Sequence, residues 1–198
     1  MMQNEVPYDK PENIYSNRGE LLGKGNDFEV FEFSETHVVK YPNRERQSHR
    51  PYDNMSLGFY IQLKQDHETL QEIFGNSLAE SSFFPPNESE HANYRIVQQK
   101  FEKNEFLNAL TEEGLASFIV IHKDAFKDLL EKAKKAQEVF LVPLDLTPNN
   151  IVYHEDRLIF VENDRPTVRA QHKEELASKI EKDQRTLDKI EEIITRTN

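Results

Sequence analysis

Cysteine is absent from the 198 residues. That removes disulfide scaffolds, thiolate zinc sites and cysteine nucleophiles together. No apolar run approaches the ~20 residues that a bilayer-spanning helix needs. The polar start MMQNEVPYDKPEN also lacks the apolar core of a signal peptide. These absences lead to the expectation of a cytoplasmic protein with no membrane partner, although an effector exported by a specialised system has the same features. Positive charge is scarce: 25 Lys and Arg stand against 36 Asp and Glu, a formal net charge of -11. Such a surface repels phosphate backbones, which argues against nucleic acid as a partner. The 7 histidines are scattered without H-x-x-x-H or H-E-x-x-H spacing, so zinc has no support in the sequence. There is no Walker A motif, no G-x-S-x-G elbow, no internal repeat and no long low-complexity tract. Among 36 carboxylates nearby pairs arise by chance, so glycosidase chemistry has no anchor.

What is present suffices for a packed core. The chain is 36% hydrophobic and carries 13 Phe and 7 Tyr, enough for one domain or two small lobes. Residues 1–16, with Pro7 and Pro11, read as an irregular lead-in. Leu21-Leu22, then Phe28, Val30, Phe31 and Phe33, then His37-Val38-Val39-Lys40-Tyr41 read as three strands of an antiparallel meander, the last stopped by Pro42. Residues 43–56 read as a loop. Leu57, Tyr60, Ile61, Leu70, Ile73 and Phe74 predict a helix ended by Gly75. Phe83-Phe84 and Tyr94-Arg95-Ile96-Val97 flank the turn-rich PPNESEHAN and predict a hairpin. Phe126, Leu129, Leu130, Ala133, Ala136 and Phe140 give the clearest helical stripe. Two short strands are expected around residues 150–153 and 158–161, joined by His154-Glu155-Asp156-Arg157. The last stretch, 171–197, carries a thin stripe of Leu176, Ile180, Leu187, Ile190 and Ile194 on a charged helix. Such a stripe docks on its own domain; self-association through 171–198 is the alternative, weakened by Asp183 and Gln184 in the seam.

Three groups of residues carry chemistry. Gly23 and Gly25 sit in a tight turn between strands, where glycines let backbone N–H groups approach phosphates. Lys40 follows one short hairpin later, and a lysine on an inward strand position offers phosphates a positive point charge. Pro143-Leu144-Asp145-Leu146-Thr147-Pro148-Asn149-Asn150 forms a polar loop between the best helix and a short Ile151-Val152 strand.

In this order the residues resemble the protein-kinase superfamily. Leu22-Gly23-Lys24-Gly25-Asn26-Asp27-Phe28-Glu29-Val30 resembles its glycine-rich loop, with Val30 in register and Phe28 in place of the third glycine. Val38-Val39-Lys40 resembles the strand that carries the phosphate-binding lysine, and the Asp145 loop resembles the H-R-D-L-K-P-x-N catalytic loop. The resemblance implies that Gly23 and Gly25 cradle phosphates, Val30 covers the adenine and Lys40 neutralises the phosphates. It implies that Glu68, with Glu72 and Asp66 as alternatives, holds Lys40. Asp145 would orient or deprotonate the acceptor hydroxyl, and Asn150 with Glu162 (or Asp164) would hold metal. The cofactors implied are ATP and Mg²⁺, or Mn²⁺. The short length resembles the small bacterial kinase-like proteins, including the PhoP-network regulator family and minimal effector kinases.

Several positions depart from the family pattern. Pro143 and Leu144 replace the His-Arg pair, Thr147 replaces the lysine beside the transferred phosphate, and Glu162 stands at the metal-binding aspartate of Asp-Phe-Gly. No Ala-Pro-Glu segment follows. The resulting expectation is a two-lobed α+β fold, with a five-stranded antiparallel N-lobe carrying one helix and a reduced helical C-lobe. Its boundaries are a lead-in at 1–16, the N-lobe at 17–102, the C-lobe at 103–170 and a C-terminal helix at 171–198. The expected activity is ATP-dependent phosphoryl transfer to a hydroxyl of a protein or small molecule. The alternatives are a pseudokinase serving as a nucleotide-binding regulatory module, and an interaction protein working through its last helix.

Overall fold

β-branched and aromatic residues at alternate positions build the first sheet. The computed structural model of the chain describes residues 19–25, 28–42, 57–86, 94–161 and 166–196. The 1–16 lead-in, the 43–56 loop, most of PPNESEHAN, and Asn26, Asp27, Glu162 and Asp164 lie outside those residues. The chain divides into two units: residues 1–61 with 80–100, and residues 62–79 with 101–198. This division places residues 62–79, most of the helix after the third strand, in the second unit.

In the first unit β1 (Leu21–Lys24), β2 (Phe28–Glu32), β3 (His37–Pro42), β4 (Ser81–Phe84) and β5 (Arg95–Gln99) form one sheet in the order β1-β2-β3-β5-β4. Every neighbouring pair is antiparallel. Pro42 is the last residue of β3, opposite Phe28, rather than a stop before the strand's end; a proline is tolerated at a strand terminus. Alternation sorts the side chains by face. One face packs Val39, Tyr41 and Val97 with Phe31, Phe33 and Phe84, and the Arg95 guanidinium lies 4.0 Å from the Tyr41 ring centroid. Tyr94 anchors an aromatic group with Phe28 edge-on at 6.5 Å and with Phe59 and Tyr60 of the first turn of α1 (Leu57–Phe74). Phe28, at the place of a third loop glycine, is thus a core residue, 7% exposed.

The second unit is mainly helical. Gly75, at φ +54°, ends α1 as the sequence predicts, since a left-handed residue there costs glycine little. α2 (Glu112–Ile121) is capped by Thr111, whose side chain accepts from the Gly114 N–H at 3.1 Å. α3 (Lys123–Phe140) buries Phe126, Leu129, Leu130, Ala133 and Ala136 and stops at left-handed Leu141. The hairpin of β6 (Ile151–His154) and β7 (Arg157–Phe160) turns through Glu155 and Asp156, both at positive φ, as a two-residue turn of right-handed twist requires. α4 (Pro166–Gln171) and α5 (Ala177–Arg196) follow. Leu187, Ile190 and Ile194 of α5 join Leu70, Phe74, Ala133 and Phe160 in one core, each contributing about 1.5–3 kcal/mol by burial. Three residues of the apolar stripe, Leu187, Ile190 and Ile194, are thus covered within the second unit, while Leu176 and Ile180 are half-buried. Among the described residues no helix is long and apolar enough to cross a membrane.

Candidate functional site

Register places three of the expected nucleotide residues side by side. Gly23 lies opposite Val30, Val30 opposite Lys40, and Lys40 opposite Ile96. Directly opposed residues of antiparallel strands project to the same face, so Gly23, Val30 and Lys40 form one row across β1, β2 and β3. The turn between β1 and β2 is closed by the Gly25 N–H donating to the Phe28 carbonyl at 2.8 Å and by Lys24 pairing with Glu29 at 3.0 Å. A Cβ on Gly23 would meet no atom within 4 Å. Internal packing therefore does not require glycine there, and the space above the strand is open.

The second group is the Asp145 loop. Leu144 and Leu146, both fully buried, fix the chain on either side of Asp145. The Leu146 N–H donates to the Leu144 carbonyl at 3.0 Å, so Asp145 sits at the centre of a tight three-residue turn. Thr147 then opens a single 3₁₀ turn, Pro148–Asn150, with proline at its first position. The Asn150 side-chain nitrogen donates back to the Asp145 carbonyl at 2.9 Å. The Asn150 carbonyl in turn accepts from the Val161 N–H at 2.9 Å, tying the loop to the end of β7. Asp145 and Asn150 are thus brought together in one cross-braced loop. With its nitrogen committed, Asn150 presents its amide oxygen, a ligand of the hard type that Mg²⁺ takes. Glu162, the other expected metal ligand, lies outside the described residues, and among those described no cluster of three or more acidic or histidine side chains is placed to hold a metal.

The acids of α1 differ from one another in a way the sequence reading did not separate. Glu68 is exposed and pairs with Lys64 at 3.8 Å, and Glu72 is also exposed. Asp66 is buried at 1% exposure. Its two oxygens accept from the Thr167 N–H at 3.0 Å and from the Thr167 hydroxyl at 2.6 Å, with Gln62 adding a third bond at 2.9 Å. Asp66 therefore caps the start of α4. The helical phase carries the signal, because Asp66 falls on the same face as buried Leu63 and Leu70.

Two further features were not foreseen. Lys179, at the start of α5, brings its ammonium nitrogen to 3.8 Å from Asp145 Oδ2. Behind it, Asp183 is buried against Arg169 of α4, both inside the second unit. No local motif announces either contact, since each joins two different elements.

No protein-family model and no curated protein matches the chain. Among solved structures it is similar to the Legionella pneumophila Lpg2603 kinase bound to IP6, with a TM-score of 0.46 and 11% identity over 78% of this chain and 56% of that one. It is also similar to the streptomycin-ATP-APH(2")-IIa ternary complex, with a TM-score of 0.39 and 13% identity over 77% of this chain and 68% of that one. A third is the ADP-bound aminoglycoside phosphotransferase APH(2'')-Ib, with a TM-score of 0.34 and 14% identity over 76% of this chain and 67% of that one. The chain spans little more than half the length of the first of these, 56%.

Proposed function

We propose that the chain is a small kinase-like phosphotransferase that moves the γ-phosphoryl group of ATP to a hydroxyl group. The observation that carries this reading is the 2.9 Å bond from the Asn150 amide to the Asp145 carbonyl. It folds the Asp-to-Asn spacing into a closed loop, braced by two buried leucines, from which a carboxylate and an amide oxygen are offered together. The row of Gly23, Val30 and Lys40 supports it: an open backbone edge, an apolar side chain and a cation lie on one sheet face. That set suits phosphates and an aromatic base.

In the proposed reaction an oxygen lone pair of the acceptor hydroxyl attacks the γ-phosphorus. The bond from that phosphorus to the β,γ-bridging oxygen breaks, and its electron pair leaves with ADP. Asp145 accepts the hydroxyl proton, and Lys40 balances phosphate charge. Asn150, with Glu162, would hold Mg²⁺, which when bound neutralises charge on the phosphate oxygens.

Labelled ATP tests the reading. ATP with Mg²⁺ at ~100 times its dissociation constant should add about 2.7 kcal/mol of stability, and Lys40→Ala should lose most of it. Transfer to protein or to a small hydroxyl compound should vanish in Asp145→Ala while the ATP-induced stabilisation survives. Labelling that persists in Asp145→Ala, or no stabilisation of the wild type at millimolar ATP, overturns the reading. ATP binding without transfer under Mg²⁺ or Mn²⁺ across a broad acceptor screen identifies a pseudokinase instead.

A further inference from the structure

We propose that Lys179 of α5 is a further phosphate-facing cation of this site, in addition to Lys40, and fills a role that no residue of the Asp145 loop can fill. The proposal rests on the phosphotransferase reading above and adds a residue to it. In phosphoryl transfer negative charge is spread over the three equatorial oxygens, and catalysis consists largely of positioning and of stabilising that charge. Between positions 141 and 150 the sequence is Leu-Val-Pro-Leu-Asp-Leu-Thr-Pro-Asn-Asn, without one basic residue. Asp145 itself is negative. A cation beside it must come from another element, and among the described residues the fold brings Lys179 there, 3.8 Å from Asp145 Oδ2.

The contact is a loose ion pair and not a closed hydrogen bond. A committed ammonium–carboxylate hydrogen bond closes to about 2.7–2.9 Å, as Lys132 does with Asp128 at 2.6 Å in the same unit. At 3.8 Å and 46% exposure, Lys179 is drawn toward Asp145 without being locked to it. Its ammonium donors remain able to turn to a second anion on the solvent side. Lysine suits this, being a compact charge on a flexible stem with three donors.

The backbone under Lys179 is fixed where the tip is free. Lys179 and Asp183 are four apart, hence on one face of α5, and Asp183 is buried against Arg169. Leu187, further along the helix, is 4% exposed in the core. The helix therefore holds the lysine's Cα beside the loop, and only the side chain has to move.

The test compares wild type, Lys179→Ala, Lys179→Arg and the double variant Lys179→Ala with Thr147→Lys, each checked for folding by circular dichroism. Two quantities are read with Mg²⁺ present: kcat for transfer, and the ratio of dissociation constants for ADP and ATP, which reports contact with the γ-phosphate without needing turnover. Lys179→Ala should lower kcat by about 10²-fold, the scale for removing one charge-stabilising donor, and should reduce the preference for ATP over ADP. Lys179→Arg should retain part of both, and Thr147→Lys should restore rate to the alanine variant by placing a cation on the loop that Lys179 faces. Unchanged kcat and an unchanged ADP-to-ATP ratio in Lys179→Ala overturn the role of Lys179 alone. A loss that neither arginine nor the second-site lysine recovers makes the residue structural and likewise overturns it. If the wild type binds ATP but transfers nothing, the ratio decides: a fall supports the proposal and constancy refutes it. A wild type that neither binds nor transfers overturns this proposal and the phosphotransferase reading together.

Discussion

Arg169 of α4 and Asp183 of α5 form an ion pair in the interior of the second unit, their side chains 6% and 2% exposed. Taking two charges out of water costs several kcal/mol per ion, and their attraction offsets this only while both are present. Asp183→Ala leaves Arg169 without its buried carboxylate and should cost about 3–5 kcal/mol, read from urea unfolding. Replacing both at once, Arg169→Met with Asp183→Leu, should recover most of the loss. A cost below about 1 kcal/mol for the single change, the range of an exposed pair, would show that this contact does not anchor α5.

Gly23 separates structure from binding. Because a Cβ there meets nothing within 4 Å, Gly23→Ala should leave stability unchanged or raise it by about 0.4–1 kcal/mol through the less flexible unfolded chain. If the proposed reading holds, the same change should weaken ATP binding, since phosphates seated above β1 would need that open space. Calorimetric titration alongside thermal unfolding checks both halves. Unaltered ATP affinity would remove Gly23 from the phosphate cradle.

Leu144 stands where the resembled family has an arginine, yet it is fully buried. Restoring the arginine should therefore harm the protein. Leu144→Arg puts an unpaired charge into the core and should cost at least about 3 kcal/mol, with no gain in transfer. A stable, more active variant would mean that the loop has room for a polar support beside Asp145.

Acid should weaken the second unit through Glu105. This carboxylate accepts from His154 Nδ1 at 2.5 Å and from the Glu102 N–H at 2.6 Å. Burial pushes its pKa up, but the hydrogen bonds from His154 and the Glu102 backbone, with the attraction of the imidazole's charge, outweigh burial and hold it below the ordinary 4.5. A depressed folded-state pKa contributes stability above the unfolded value, and that contribution is lost as pH falls through the folded value. Stability should thus drop below about pH 4.5, and Glu105→Gln should flatten that part of the curve. Identical acid limbs in the two proteins would show that Glu105 is not responsible.

The row of Gly23, Val30 and Lys40 was legible in part because strands repeat every two residues. Once β2 and β3 are recognised, a short turn leaves few registers and parity pairs Val30 with Lys40; Gly23 joins them only past an irregularity in β1 after Leu21, which parity does not foresee. The Asp145 to Asn150 spacing was legible for a similar reason, since a loop between a strong helix and a short strand keeps its chemistry local. Lys179 was not, because its meaning depends on where α5 docks, and a charged helix with a thin stripe looks the same in many dockings. Asp183 read as a flaw in that stripe; in the fold it is a buried partner of Arg169. Asp66 was legible in part, since its phase with Leu63 and Leu70 marks a buried acid, but its partner Thr167 lies far along the chain.

The discontinuous make-up of both units has a consequence for how the chain is synthesised. β3 lies between β2 and β5, so one of its edges stays bare until the segment that contains β5 has emerged. At ~5–20 residues per second that interval lasts several seconds, and an uncovered strand edge is a template for pairing with any other extended chain. The helical unit waits longer still, since Leu187, Ile190 and Ile194 close its core from the far end of α5. Nascent chains halted before residue 187 should consequently carry a completed sheet beside an unsealed apolar interior, the kind of surface that chaperones hold and proteases find.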